Sequence, residues 1–348
     1  MSNIWKTYFF FFLLLTAVSC SVIDEDLSDC PKEEAQAQVN YELRLVTNMT
    51  TELQTQLTTQ TDIQLASSLK QHLDDIFTDY AHDVDLSFYD TVGDSIRLQH
   101  DEHIMDANQA SYELNLPMRQ YMHLATANII DNDLVTLEND ENCHKAQLHQ
   151  MESDTISSHT TGLFTARQPM EVLEGVNQNF NVHLYMANCA ATLVIDPQGH
   201  STEGLQVFTT GFATRFNICD STYVFPSKLP IVRTNRVEIP DHGDAVGFCS
   251  VTFPSPEPGH TRTIIETEEP FIAGADDEAL WEIRVYVPHE NDTKDEYVLG
   301  IKEPIRAGQF KIIRVKMGKN GEIISENPEV GVSVTLDWKP GGEYNPEL

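Results

Sequence analysis

Polar and apolar residues alternate one by one along much of this chain. Val39, Tyr41, Leu43 and Leu45 are each separated by a polar residue, as are Val84, Leu86 and Phe88, then Tyr112, Leu114 and Leu116. Phe180, Val182, Leu184 and Met186 repeat the pattern, followed by Trp281, Ile283, Val285 and Val287. Val330, Val332, Val334, Leu336 and Trp338 form the longest run. Side chains of an extended strand point alternately to its two faces, so period two predicts strands with one buried face. Turn-rich segments between the runs suggest antiparallel sandwiches. One segment keeps a different period: Thr61-Asp62 can cap a helix, and Ile63, Leu65, Leu69, Leu73, Ile76 and Phe77 follow at helical spacing. A helix there would cover one sheet or cross its end. The expectation is therefore an all-β chain with one helix in its N-terminal half.

A length of 348 residues suggests two domains. The polar, turn-forming stretch 157–162 and the Pro169 that follows it place a boundary between them. The expected division is a β-sandwich over 36–165 and a second over 166–348. Pro254, Pro256 and Pro258 mark a loop inside the second.

The N-terminus changes the picture. One basic residue, Lys6, precedes an apolar run from Tyr8 to Val18. That run, about eleven residues, is shorter than the roughly 20 needed to span a bilayer. Basic start, short apolar core and small residues before a cut site form the secretory-signal pattern. Here the small residues lead directly into Cys20, and Ala17-Val18-Ser19-Cys20 matches a bacterial lipobox, with Ala17 where Leu is usual. Residues 1–19 are thus expected to be a lipoprotein signal peptide, with Cys20 lipidated and 20–35 an acidic stalk. Asp24, Glu25 and Asp26 resemble the surface-export signal of Bacteroidetes lipoproteins. Lipid chains bury about 0.8 kcal/mol per methylene, and two chains tether stably.

Charge sharpens this further. The net charge of -32 becomes -33 on removal of residues 1–19, because Lys6 leaves and no acid does. Such a chain repels phosphate backbones, so nucleic acid is excluded as a partner. It also gains nothing from an anionic membrane surface, which leaves anchoring to the lipid.

Six cysteines are present: Cys20, Cys30, Cys143, Cys189, Cys219 and Cys249. In an exported chain the preferred disulfide is Cys30 with Cys143, both outside the obvious strand cores; free buried thiols are the alternative. No nucleophile elbow, zincin pair or phosphate-cradling glycine loop is present, so no enzyme is expected. Two clusters carry metal-capable side chains, His100-Asp101-Glu102-His103 and Cys143-His144 with His149, but neither has a metal-ligand spacing. No metal or cofactor is expected. Trp281 and Trp338 share the apolar phase of their strands and read as core. Asp90-Thr91-Val92, Asp94-Ser95-Ile96, Asp154-Thr155-Ile156 and Asp220-Ser221-Thr222 resemble the Bacteroidetes O-glycosylation motif.

Several segments together resemble the fimbrial-anchor lipoproteins of Bacteroidetes, the FimB type of minor fimbrial subunit. They are 20–31 (CSVIDEDLSDCP), 83–90 (DVDLSFYD), 116–125 (LPMRQYMHLA) and 332–341 (VSVTLDWKPG). The resemblance implies two tandem transthyretin-like antiparallel β-sandwich domains. It also implies a place at the base of a fimbrium, fixing its shaft subunits to the outer membrane by strand exchange. An exposed sheet edge presents unpaired N–H and C=O groups that an added strand satisfies. The strand over 330–338 is the candidate assembly element. The alternative is a surface glycan-binding lipoprotein of a polysaccharide-uptake system. It needs exposed aromatics, which the core phase of the tryptophans disfavours.

Overall fold

The computed structural model describes residues 36–46, 81–104, 111–130, 132–174, 178–226, 230–239, 244–258, 279–289, 293–326 and 330–338, with helical positions 68, 69, 71–73 and 76. These residues form strands β1–β22 in four sheets. The seven-stranded sheet has the order β3 (Arg97–Ile104), β2 (Asp83–Asp90), β5 (Gln120–Ala127), β9 (Phe164–Glu171), β10 (Gln178–Met186), β1 (Gln36–Val46) and β4 (Ser111–Pro117). A five-stranded sheet runs β16 (Asn235–Glu238), β17 (Val246–Thr252), β11 (Cys189–Asp196), β20 (Phe310–Met317) and β21 (Ile323–Ser325). The six-stranded sheet runs β22 (Val330–Trp338), β19 (Lys294–Ile301), β18 (Trp281–Pro288), β12 (Gln206–Thr210), β15 (Ile231–Arg233) and β8 (Thr155–Ile156). The smallest runs β14 (Thr222–Val224), β13 (Arg215–Asn217), β7 (Gln147–Gln150) and β6 (Val135–Glu138). The all-β sandwich architecture is as the alternation predicts. Most pairings are antiparallel, and β1–β10, β11–β20 and β8–β15 are parallel.

Three cores order these sheets. The first joins Val84, Leu86, Phe88 and Tyr121 of the seven-stranded sheet to Val194, Val251, Phe310 and Ile312 of the five-stranded one. The second joins the opposite face of the five-stranded sheet, with Leu193, Phe248 and Ile313, to Trp281, Ile283 and Leu299 of the six-stranded one. The third places the four-stranded sheet, through Leu148 and Phe216, against Tyr89 and Leu124 on the back of the seven-stranded sheet. The five-stranded sheet is therefore covered on both faces. Each of the seven residues of β17 and the first seven of β11 is buried. In these two strands both phases carry mainly apolar or small residues, so no clear alternation shows.

Of the expected helix, Leu69, Leu73 and Ile76 are helical or in its last turn and buried in the first core. Ile63, Leu65 and Phe77 lie outside the described residues. The segment around Pro169 is strand β9, and the expected boundary between 165 and 166 falls within it. Proline has no N–H for a ladder, so a central strand normally excludes it. Here β9 pairs with β10 only at Thr165 and Phe164, while Pro169 faces Met122 of β5. The unpaired side accommodates the missing donor. Ser158 and His159, in the turn-forming stretch before β9, are buried, and the His159 N–H donates to Val251 O at 2.9 Å.

One glycine is dictated by packing. Gly211, just after β12, has φ +106°, and a Cβ on it would lie 2.7 Å from Trp281 Cα. Its absence lets the Trp281 backbone approach, and the Trp281 indole N–H then donates to Glu303 O at 3.0 Å. Trp281 is fully buried, in the phase the sequence predicts.

Candidate functional site

Cys20, Asp24, Glu25, Asp26 and Cys30 lie outside the described residues. The first described element after them is β1, and its seat is the best-defined candidate site. β1 runs parallel to β10 over eight registered pairs, from Val39↔Gln178 to Val46↔Tyr185, with β4 as its other neighbour. Alternation decides which side chains hold it. Val39, Tyr41 and Leu43 enter the first core. On the opposite phase Asn40 Nδ2 donates to Asn179 Oδ1 at 2.8 Å, and Gln38 Nε2 donates to Glu113 Oε2 of β4 at 2.7 Å.

Tyr41 carries a buried polar contact of this seat. His123 on β5 is fully buried, and burial lowers its pKa to about 4, although the Ser87 carbonyl opposes the shift. It is therefore neutral at pH 7. Its Nδ1 is 3.0 Å from Ser87 O, an atom that only accepts, so Nδ1 carries the proton. Nε2 is then an acceptor, and the Tyr41 O–H donates to it. The Phe88 ring stacks on the imidazole at 4.5 Å. The first strand is thus tied into the sheet by a buried hydrogen bond as well as by apolar contact.

Strand alternation splits the first histidine cluster, and the second is divided between a turn and β7. His100 and Glu102 share one face of β3 with Asp85 of β2, and His100 Nε2 lies 2.6 Å from Asp85 Oδ2 and 3.5 Å from Glu102 Oε1. His103 points the other way and stacks on Tyr112 at 4.6 Å. Ser87 Oγ donates to Asp85 Oδ1 at 3.0 Å. Serine, carboxylate and imidazole meet here, but the carboxylate sits in the middle. A hydrolase needs the imidazole between them to take the serine proton, so this group is a cross-strand hydrogen-bond cluster. His149 of β7 pairs with Glu138 at 2.9 Å, away from His144.

Cys143 is buried with a free thiol, and burial, with Cys219 next to it, pushes that thiol up to about 12. Its Sγ is 3.3 Å from Cys219 Sγ. Cys219 Sγ in turn is 3.5 Å from His144 Nδ1. Sequence reasoning missed this contact, because strand register and not spacing brings residues 76 apart together. Of the glycosylation-like motifs, Thr91 and Ser221 are exposed.

Strand edges are the remaining candidate surfaces. β3 and β4 bound the seven-stranded sheet, and β22 bounds the six-stranded one. β22 pairs with β19 from Ile301↔Val330 to Lys294↔Trp338, with an irregularity near Glu296. Exposed apolar residues Ile96 and Leu98 lie at the start of the β3 edge. No helix among the described residues is long and apolar enough to cross a membrane.

A family model described as fimbrillin-A associated anchor proteins Mfa1 and Mfa2 matches residues 27–216. No curated protein sequence matches the chain. Among solved structures it is similar to an adhesin of Bacteroides ovatus, with TM-score 0.50 and 10% identity over 87% of this chain and 96% of that one. A second Bacteroides ovatus adhesin aligns with TM-score 0.50 and 8% identity, covering 87% and 95%. The fimbrial anchor protein Mfa2 of Porphyromonas gingivalis aligns with TM-score 0.46 and 11% identity, covering 87% and 98%.

Proposed function

Because this chain belongs to the family of fimbrillin-A associated anchor proteins, we propose that it is a lipid-anchored subunit that fixes or assembles a fimbrium at the outer membrane. The family is fimbrial and structural in kind, not enzymatic. The observation that carries the proposal is the match itself, which begins at residue 27, a few residues after Cys20, and takes in the whole seat of β1. The apolar run before Cys20 supports export, and Asp24, Glu25 and Asp26 support display on the outer face. The role assigned to Cys20 is to carry the lipid, and that of β1 is to transmit the tether to the folded body.

Strand exchange with shaft subunits is part of the same proposal. The supporting features are the β3, β4 and β22 edges, each with backbone groups facing outward from its sheet. The division into two sandwich domains near residue 165 is a proposal of equal standing. Separate production of 36–165 and 166–348 tests it: two pieces that each fold alone support the division, and pieces that fold only together would sink it.

The function is tested in the native cell. With Cys20→Ala the protein should leave the membrane fraction, and fimbriae should detach into the medium. Affinity capture of the wild-type chain should bring down shaft subunits. Fimbriae that stay attached and of normal length after deletion, with no shaft subunit captured, would sink the proposal.

A further inference from the structure

We propose that Cys143 and Cys219 form a disulfide that staples the four-stranded sheet together. This sheet is assembled from two distant pieces of chain. β6 and β7 come from 135–150, whereas β13 and β14 come from 215–224. The pieces meet where β7 pairs with β13 over three positions, Gln147↔Asn217, Leu148↔Phe216 and His149↔Arg215. One further backbone bond, from Ile218 N–H to Ala146 O at 3.1 Å, continues the pairing. Cys219 directly follows Ile218, and Cys143 stands in the turn that leads into Ala146. Cys143 is held in a turn closed by Ala146 N–H to Asn142 O at 3.0 Å, and its own N–H donates to Ser95 O at 3.0 Å.

The backbone therefore fixes both cysteines, and their sulfurs are already in contact at 3.3 Å. A disulfide needs about 2.05 Å, so the sulfurs must close by a little over an ångström. A zinc ion is the rival occupant, but the side chains that converge on one point are His144, Cys219 and Asp220, without Cys143. With Zn–S arms of roughly 2.3 Å it would spread the two sulfurs to about 3.8 Å. The observed 3.3 Å lies between that value and the disulfide length, so the choice rests on the ligand set, which does not include Cys143.

The chemistry balances as a thiol–disulfide exchange. Cys219 gives up its proton to solvent first, while the sheet is still open. The thiolate attacks the disulfide of an oxidising thiol–disulfide oxidoreductase, and one sulfur of that enzyme leaves as a thiol. Cys143 then displaces the second sulfur. Two electrons and two protons pass to the oxidant, which ends as a dithiol. The exchange takes place as the sheet forms, since both thiols are almost fully covered in the finished fold. Only the supply of oxidant rests on the reading of the chain as exported.

The test uses the full chain purified from its own cells, denatured without reductant, alkylated and digested. The expected result is a peptide pair linked at Cys143 and Cys219, two hydrogens lighter than the sum of its parts. Cys189 and Cys249 should be alkylated. Reduction should lower Tm by about 5–10 °C, given the length of the closed loop. A Cys143→Ala/Cys219→Ala variant should be insensitive to the same reductant. Chain produced reduced and refolded with oxidised glutathione separates the two assumptions. If both thiols stay free there, or a stoichiometric zinc ion is found, or Cys30 is linked to Cys143, the pairing is wrong. If the bond forms in glutathione but is missing from the native chain, the export reading fails and the native staple fails with it.

Discussion

β10 and β11 are consecutive strands with only two residues between them, yet they obey different rules. In β10 the residues from Phe180 to Met186 alternate, with Val182, Leu184 and Met186 buried and Tyr185 59% exposed. In β11 the residues from Cys189 to Ile195 are buried without a break. The difference is one of layers. β10 has a single core beneath it, whereas β11 lies in the sheet between two cores. Position in the stack, more than strand propensity, decides which substitutions a strand tolerates.

Adjacent substitutions test this most sharply. Val194→Asp and Leu193→Asp should each cost on the order of 4 kcal/mol or more, because either face places an unpaired charge in a core. Tyr185→Asp should stay within about 0.5 kcal/mol, while its neighbour Leu184→Asp should resemble the β11 pair. Urea unfolding of the four variants reads the comparison directly. Equal tolerance at residues 193 and 194 to that at 185 would break it.

Acidification is the next largest effect. His123 lies in the seven-stranded sheet and His159 packs against Phe253 beside the five-stranded one. Burial lowers His123 to about 4 and His159 to about 3. The ordinary histidine value is about 6.5. Between the two values the unfolded chain binds a proton that the folded chain does not. Stability should therefore be intact above about pH 6.5 and fall as pH drops, by about 1.4 kcal/mol per unit for each histidine, until the folded value is reached. His123→Phe and His159→Phe should each flatten the curve by one such share. A curve unchanged in both variants would mean that neither histidine is buried neutral.

Tyr41→Phe probes the seat of β1. It deletes the donor to His123 Nε2 and leaves that nitrogen buried without a partner, at a cost of about 1–3 kcal/mol. Chemical denaturation checks it, and a neutral outcome would show that the contact adds nothing. The smallest effect is expected at the periphery. Arg306 Nε and Nη2 donate to Glu257 at 2.6 and 2.9 Å, but both side chains are more than half exposed. Arg306→Ala should cost less than about 1 kcal/mol.

These layers also explain which parts of the fold could be read from sequence. β1, β4, β10 and β18 bury mainly one face, and their alternation announces them; β2 alternates too, although its second face, with Asp85 and Ser87, is also covered. β11 and β17 carry Ala190-Ala191 and Gly247 among apolar residues, with no phase to detect. β9 was hidden by Pro169, whose cost vanishes only because the neighbouring strand has already diverged. For the site, Tyr41 was visible as a core residue of β1. Its partner His123 was not, since nothing in the order of residues sets β1 against β5. The histidine run at 100–103 suggested a cluster that the two-residue pleat pulls to opposite faces, and that at 143–149 is divided between a turn and β7.

The parallel run of β1 along β10 has a mechanical consequence. A chain held at its N-terminus and pulled through the rest of its body receives the load at the start of β1. The load leaves from the far end of β10, which continues into β11. Because the two strands point the same way, that tension slides one along the other, and the eight registered pairs resist together. An antiparallel partner would have put the load on the bonds at one end, to part in succession. The first strand therefore serves as a shear clamp: the direction in which such a molecule would be tugged is the direction in which its first strand is hardest to remove.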